Sequence, residues 1–388
     1  MSGSDFRQIP FGRPWITDED RKAVLAVLEG HILTHGPQAK AFEAEFAQFL
    51  GEGAHCVSVS SGMAALQLSY LALGIGPGDE VIVPAQTHIA TVHAVEWVGA
   101  RPIFVDCDAV TGNVTPGAVA VAITPRTRAI SVVHFIGIPC DMPKIMAVAE
   151  AHGLKVVEDC ALAVGARYGQ THVGLFGDAG CFSFYPIKHM TTGEGGMFAT
   201  RHPEAAAVVS NVRAFGVDRS HAEREIPGVY DVPSLGLNYR MSEIQAALGR
   251  TQLRRMDEIL ERRRRNFKAL KTALGGLPGI RVLDASRGEG RSSHYCLSLV
   301  LEGPLGKRRN DLVRRLNAVG VGTSVYYPQP VPRMRYYQEK YGYDPARFPQ
   351  AAAISDCSIA LPVAPHVGGD DIAYMVDAVR RLLREVSA

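Results

Sequence analysis

Along the first 270 or so residues, short apolar runs alternate with segments whose apolar positions recur every three or four residues. Thr17-Asp18-Glu19-Asp20 carries a capping-type helix signal, and Val24, Leu25, Val27 and Leu28 give the helix that follows an apolar side. A second helix is expected over Gln38–Leu50, with Phe42, Phe46, Phe49 and Leu50 inward. Cys56–Val59 reads as a strand, followed at once by Ser60-Ser61-Gly62 and a helix through Leu66, Leu68 and Leu71. The alternation continues with a strand at Val81–Val83, a helix over Thr87–Val98 and strands at Pro102–Val105 and Ala129–Phe135. A helix over Met142–His152 and a strand at Leu154–Val157 follow. This order argues a mostly parallel sheet covered on both faces. Gly180–Phe184 and Gly196–Thr200 then read as two strands joined by a Gly-rich loop, and a long helical pattern runs from Met241 to Leu274. The remainder, from about residue 280, mixes short strands with helices near Lys307–Val319 and Asp370–Val386. The expectation is an α/β chain: a large domain over residues 1–260 built on a mostly parallel mixed sheet, and a smaller α+β domain over 261–388.

Composition narrows the function classes. With 41 Lys+Arg against 39 Asp+Glu in 388 residues, nothing in the charge balance points to nucleic acid or an acidic membrane. The run Arg262–Arg265 reads as a solvated helix face or a subunit rim, not as a nucleic-acid patch. No apolar run reaches membrane-spanning length, and the N-terminus lacks a signal-peptide pattern. The seven cysteines are scattered and form no C-x-x-C pair, and most read as small buried hydrophobes, which fits a reducing cytoplasm. The histidines show no H-E-x-x-H or comparable spacing, so no metal is expected.

Candidate chemistry concentrates between residues 158 and 196. Glu158-Asp159 closes a strand, at the edge where α/β folds place ligands. Further on, Cys181-Phe182-Ser183-Phe184-Tyr185-Pro186-Ile187-Lys188 leads into His189-Met190-Thr191-Thr192-Gly193-Glu194-Gly195-Gly196. A lysine buried in an apolar, aromatic stretch has a lowered pKa and attacks carbonyls. Each residue alone also has a plain reading: a lysine that snorkels to solvent, an aspartate that caps a turn.

Taken as a string, these residues resemble the DegT/DnrJ/EryC1/StrS family of pyridoxal-phosphate (PLP)-dependent sugar aminotransferases. The resemblance extends from Gly12-Arg13-Pro14 and Thr34-His35-Gly36-Pro37 to Leu361-Pro362. It is strongest at Ser61–Leu66, Glu158–Ala161, Phe182–Gly196 and Asn238–Glu243. It implies the PLP-dependent transferase fold type I, with the large domain binding PLP. Lys188 would form the Schiff base and afterwards move a proton between substrate and cofactor. Asp159 would keep the pyridine nitrogen protonated. Ser183 and the N–H groups of Gly62, Met63 and Ala64 at a helix N-terminus would hold the phosphate. Asn238 and Arg240 would reach the phosphate from the other subunit of a homodimer. His88 would lie against the cofactor ring, although a simple hydrogen-bonded helix histidine is the other reading. The sugar site would draw on Thr34, His35, Gly36, Gln86, Glu194, Tyr326 and Tyr327; for Tyr326 a packed strand aromatic is equally open.

Two positions depart from the family pattern: Leu162 stands where many relatives have Gln, and Met63 where many have Thr. Both changes remove polar cofactor contacts. A branch of the family carries histidine in place of the Schiff-base lysine; here Lys188 is kept and His189 follows it. The resemblance implies L-glutamate as donor and a nucleotide-linked keto sugar as acceptor. The loop Thr191–Gly196 is more like that of relatives that aminate C4 of a 4-keto-6-deoxy sugar. The alternatives are a C3-keto sugar, a cyclitol, or a PLP-binding regulatory protein without turnover.

Overall fold

The computed structural model describes residues 6–218, 226, 228–284 and 288–387. Seven strands form the main sheet: β1 His55–Val59, β2 Glu80–Pro84, β3 Arg101–Val105, β4 Thr127–Val133, β5 Lys155–Asp159, β6 Ala179–Ser183 and β7 Gly196–Thr200. Their spatial order is β1-β7-β6-β5-β4-β2-β3. The pairs β2–β3, β2–β4, β4–β5 and β5–β6 are parallel, whereas β7 runs antiparallel between β6 and β1. Every residue of β2 is buried, as expected for a parallel strand covered on both faces.

The covering helices are α1 Asp18–Glu29, α2 Pro37–Leu50, α3 Gly62–Ala72, α4 Ile89–Trp97, α5 Pro116–Val121, α6 Met142–Ala151, α7 Pro203–Val212, α8 Glu243–Arg254 and α9 Met256–Leu274. Phe42 and Phe46 of α2 meet Phe182 and Phe184 around β6 in a cluster of tilted and edge-on rings, a packing that suits aromatic quadrupoles. The Thr17–Asp20 capping box forms, the Thr17 N–H donating to Asp20 Oδ2 at 2.7 Å. Only Val27 of the expected apolar side of α1 is buried; Leu25 and Leu28 are exposed, together with Ile32 and Leu33 just beyond the helix.

The helical pattern over 241–274 is two helices, not one. The break falls at Arg255, whose guanidinium is drawn across to the buried Asp20 (2.8 Å), the Thr17 hydroxyl (2.8 Å) and the Trp15 carbonyl (3.1 Å). The arginine run that follows is not uniformly solvated either. Arg262 and Arg264 pair with Glu258 and Glu261, while Arg263 is only 2% exposed.

Beyond α9, strands β8 Ile280–Val282, β9 Leu297–Leu301 and β10 Ser358–Leu361 form an antiparallel sheet in the order β8-β9-β10. Its apolar cluster joins Leu297, Leu299 and Leu301 to Phe267, Leu270 and Leu274 of α9, to Leu382 of the last helix (Gly369–Ser387), and to Ile9, which bridges to Val321. No helix among the described residues is long and apolar enough to cross a membrane.

Candidate active site

Four chain segments converge at the carboxyl edge of the parallel strands, where such sheets leave a crevice. The first is the N-terminus of α3. Ser61 caps it, its Oγ accepting the Ala64 N–H at 3.1 Å, so the N–H groups of Gly62 and Met63 are left at the open helix end. A Cβ on Gly62 would lie 2.8 Å from the Cβ of Ser183 at the end of β6, so glycine lets this serine and the helix end share one small space.

Asp159 ends β5 and is 5% exposed. Its Oδ2 accepts from the Thr91 hydroxyl at 2.7 Å and its Oδ1 from the Ala161 N–H at 3.0 Å. Thr91 is not among the residues that the sequence singles out; the structure sets its hydroxyl on Asp159. Its signal was the spacing of α4: Thr91 lies three residues after His88, on the same helical face. His88 caps α4 through Nδ1, which accepts the Ala90 N–H at 3.2 Å. Its ring remains exposed and meets Tyr327 edge-on at 5.6 Å. Surrounding protein atoms, and then the Lys188 cation, push the imidazole below its ordinary pKa.

Lys188 sits in the loop between β6 and β7. Burial lowers its amine from 10.5 to about 8, and Asp159 limits the drop. The neighbouring His189 is buried behind the loop. Its Nε2 donates to the Ser293 carbonyl at 3.0 Å, and burial holds the ring neutral. Leu162 is buried, in keeping with an apolar contact at that position.

Other expected site residues stand further off. Gln86 is buried with both amide ends engaged, Nε2 donating to the Tyr326 carbonyl at 3.0 Å and Oε1 accepting from Ser355 at 2.6 Å. It braces the Tyr326–Tyr327 segment and presents no polar atom to the cleft. Tyr326 is packed, its hydroxyl paired with that of Tyr295 at 2.8 Å. Glu194 turns its side chain to solvent, while its carbonyl accepts from Gln245 at 2.8 Å. His35 and Asn238 are exposed, and the partly buried Arg240 lies 4.7 Å from the Phe215 ring.

One buried group has metal-like composition: His134, Glu158 and Cys160. The lone pairs of its glutamate and histidine are already committed. Glu158 accepts N–H groups from Gly174 (2.7 Å), Phe176 (2.8 Å) and Gly177 (2.8 Å) and faces His134 Nε2 at 2.9 Å. His134 Nδ1 accepts the Cys140 N–H at 3.1 Å. The cluster is a strut that fixes β5 beneath Asp159.

A buried, nucleophilic amine in the same crevice as a held carboxylate suits an aldehyde carried on a pyridine ring. A helix end with free N–H groups, beside a serine whose hydroxyl has no partner among the described residues, suits the phosphate of the same molecule. With this sheet, the arrangement defines the class: a PLP-dependent transferase of fold type I. Comparison with known proteins gives the particular branch. The chain belongs to the DegT/DnrJ/EryC1/StrS aminotransferase family, whose model matches residues 14–380. It is 38% identical over 381 residues to the spore coat polysaccharide biosynthesis protein SpsC of Bacillus subtilis, with 97% of each chain covered. It is 40% identical over 347 residues to the erythromycin biosynthesis sensory transduction protein EryC1 of Saccharopolyspora erythraea, covering 89% of this chain and 90% of that one. The structure of Spr1654 from Streptococcus pneumoniae in its PLP-form superposes with a TM-score of 0.91 at 28% identity, covering 98% and 99% of the two chains. The cofactor is PLP, and the chain is a PLP-dependent sugar aminotransferase.

Proposed function

We propose that this chain transfers the amino group of L-glutamate to a nucleotide-linked keto sugar, at C4 of a 4-keto-6-deoxy sugar, for amino-sugar, polysaccharide or natural-product synthesis in the cytoplasm. The observation that carries this reading is the Lys188 amine, lowered to about 8 by burial, on the same crevice as the doubly held Asp159 carboxylate. When bound, PLP supplies an electron sink that stabilises negative charge at the substrate carbon.

The chain's own residues do the rest. Lys188 carries the cofactor, and its released amine takes a proton from one carbon and returns it to another. Thr91 and the Ala161 N–H hold the Asp159 carboxylate aimed into the crevice. Ser183 and the N–H groups of Gly62 and Met63 hold the phosphate; the Ala64 N–H, expected there as well, is spent on the Ser61 cap. His88 covers the ring face. Glu194, His35 and Tyr326 remain second-tier substrate candidates, and Gln86 acts through the tyrosines it braces.

A homodimer with shared sites fits the exposed apolar residues before Asn238: Val229, Tyr230, Val232 and Leu235, the last 93% exposed. A second copy would cover them and bring Asn238 and Arg240 to its neighbour's phosphate. The division into a PLP-binding domain over 1–260 and a small domain over 261–388 belongs to the same proposal. The preference for C4 rests on the Thr191–Gly196 loop. The name of SpsC favours a polysaccharide role.

Borohydride reduction and peptide mapping, with and without L-glutamate, test the first half-reaction. The expected result is a pyridoxyl adduct on Lys188 that glutamate abolishes. An adduct that survives glutamate points to another donor or to the regulatory reading, and its absence from PLP-saturated protein refutes the Lys188 assignment. Turnover on 4-keto-6-deoxy, 3-keto and inosose-type ketones then selects the acceptor.

A further inference from the structure

The Lys188 amine makes no hydrogen bond to any described residue; what it faces, 5.6 Å away, is the ring of Tyr295. Tyr295 is 3% exposed and held from several sides. Its N–H donates to the Ile136 carbonyl at 3.3 Å, and its carbonyl accepts from Arg263 Nη1 at 2.8 Å. Its hydroxyl pairs with that of Tyr326 at 2.8 Å, and the Tyr326 ring abuts it edge-on at 5.4 Å. Arg263 also reaches the Lys188 carbonyl at 3.4 Å, so one guanidinium ties the main chains of lysine and tyrosine together. No carboxylate among the described residues pairs with Arg263, which burial lowers to about 10. A buried cation without an anion is costly, and here main-chain carbonyls and the Tyr295 ring face, 5.8 Å away, are what surround it.

We propose that Tyr295, locked by Arg263 and Tyr326, is a positioning residue whose ring face seats the Lys188 ammonium whenever that amine is not bonded to the cofactor. The inference rests on the reading of Lys188 as the cofactor-bearing lysine. Burial alone would leave the long side chain free to swing and would disfavour its charged form. An aromatic face attracts a cation without accepting its proton, so the amine keeps a defined place and can still deprotonate. The other groups facing this region are Asp159 from β5, His88 from α4, Arg263 from α9, the adjoining His189, and Tyr326 and Tyr327. All remain in place when only the electrons of the Tyr295 ring are changed.

The test uses the full chain freed of cofactor, with Tyr295→Phe as parent and mono-, di- and trifluorinated phenylalanines at the same position. These side chains keep the ring's shape while weakening its negative face. The readout is the pH dependence of Lys188 labelling by trinitrobenzenesulfonate, followed by peptide mapping. Tyr295→Phe gives up the hydroxyl bond to Tyr326 but keeps the main-chain tie to Arg263, so it sets the reference midpoint, and across the fluorinated series the midpoint should fall stepwise from it by roughly half to one pH unit in total. Tyr295→Leu, checked for native circular dichroism, should shift the same way and slow PLP uptake. A midpoint that stays flat across the fluorinated series, with the wild-type pyridoxyl adduct intact, overturns the seat alone. Loss of the adduct from the wild-type chain overturns the Lys188 reading beneath it.

Discussion

Replacing Thr91 by valine removes one oxygen from a fully buried side chain and leaves its shape almost unchanged. That oxygen donates to Asp159 Oδ2 at 2.7 Å and shares a 2.7 Å bond with the Thr87 hydroxyl. After the change, the carboxylate keeps, among the described residues, only the Ala161 N–H, at 3.0 Å, as a donor. Asp159 is 5% exposed, so water does not readily take the vacated position. A hydrogen bond to a charged group contributes about 1.5–3 kcal/mol. If Asp159 must stay anionic opposite the cofactor's ring nitrogen, that loss appears in the barrier and slows the reaction roughly 10- to 150-fold. The assay is a single-turnover reaction of the PLP-loaded variant with L-glutamate, followed by the cofactor's absorbance, so no sugar acceptor is needed. Thr91→Ser keeps the hydroxyl and should run within about threefold of wild type while losing on the order of 1 kcal/mol of stability from the missing methyl. A Thr91→Val rate within threefold of wild type, alongside an inactive Asp159→Asn, refutes the claim that Thr91 holds the anion.

Two further outcomes follow from the titrating groups. With its amine lowered to about 8 by burial, Lys188 is uncharged in about a tenth of molecules at pH 7, roughly 300 times the fraction of an ordinary lysine. PLP uptake by the cofactor-free chain, measured by stopped flow, should therefore rise with pH and level off above about 8; a rate still climbing tenfold per unit at pH 9.5 contradicts this environment. Asp20 is buried, which alone would raise its pKa, but hydrogen bonds from Arg255, Thr251 and the Thr17 N–H bring it below the ordinary carboxylate value. A depressed carboxylate contributes stability above its unfolded pKa of about 3.9, and that contribution is lost as pH falls through the folded value. Asp20→Asn should thus cost about 3 kcal/mol at pH 7 by urea unfolding, and the gap to wild type should close below pH 4; a gap independent of pH would exclude the ion pair as its source.

The alternation of strands and helices was legible because parallel strands buried on both faces leave continuous apolar runs, and β2 is buried throughout. The end of α8 at Arg254 was not. The stretch from Met241 to Leu274 contains no proline, and its one glycine, Gly249, lies inside α8. At Arg255, where the helix stops, the guanidinium is held by Asp20, Thr17 and Trp15, residues more than 230 positions away. Leu25 and Leu28 show the complementary limit. Periodicity marks an apolar side but not what covers it, and in the single chain these two are exposed.

At the candidate site, residue type was legible and direction was not. Gln86 lies two residues before His88, yet it faces Tyr326 and Ser355 while His88 faces the crevice. Four consecutive arginines suggest one solvated face, but a helix turns about 100° per residue, so a run of four must point most of the way round. Arg263 points inward and ties the backbone of Lys188 to that of Tyr295. The same reasoning applies to Lys188 and His189, adjacent residues that both have the chemistry for the site. Nothing in their order says which one faces Asp159. The choice is made by the Ser293 carbonyl, which takes the His189 ring, and by Arg263, which takes the Lys188 carbonyl. Both anchors lie more than 70 residues downstream, so this register follows from how the small sheet and α9 dock behind the loop.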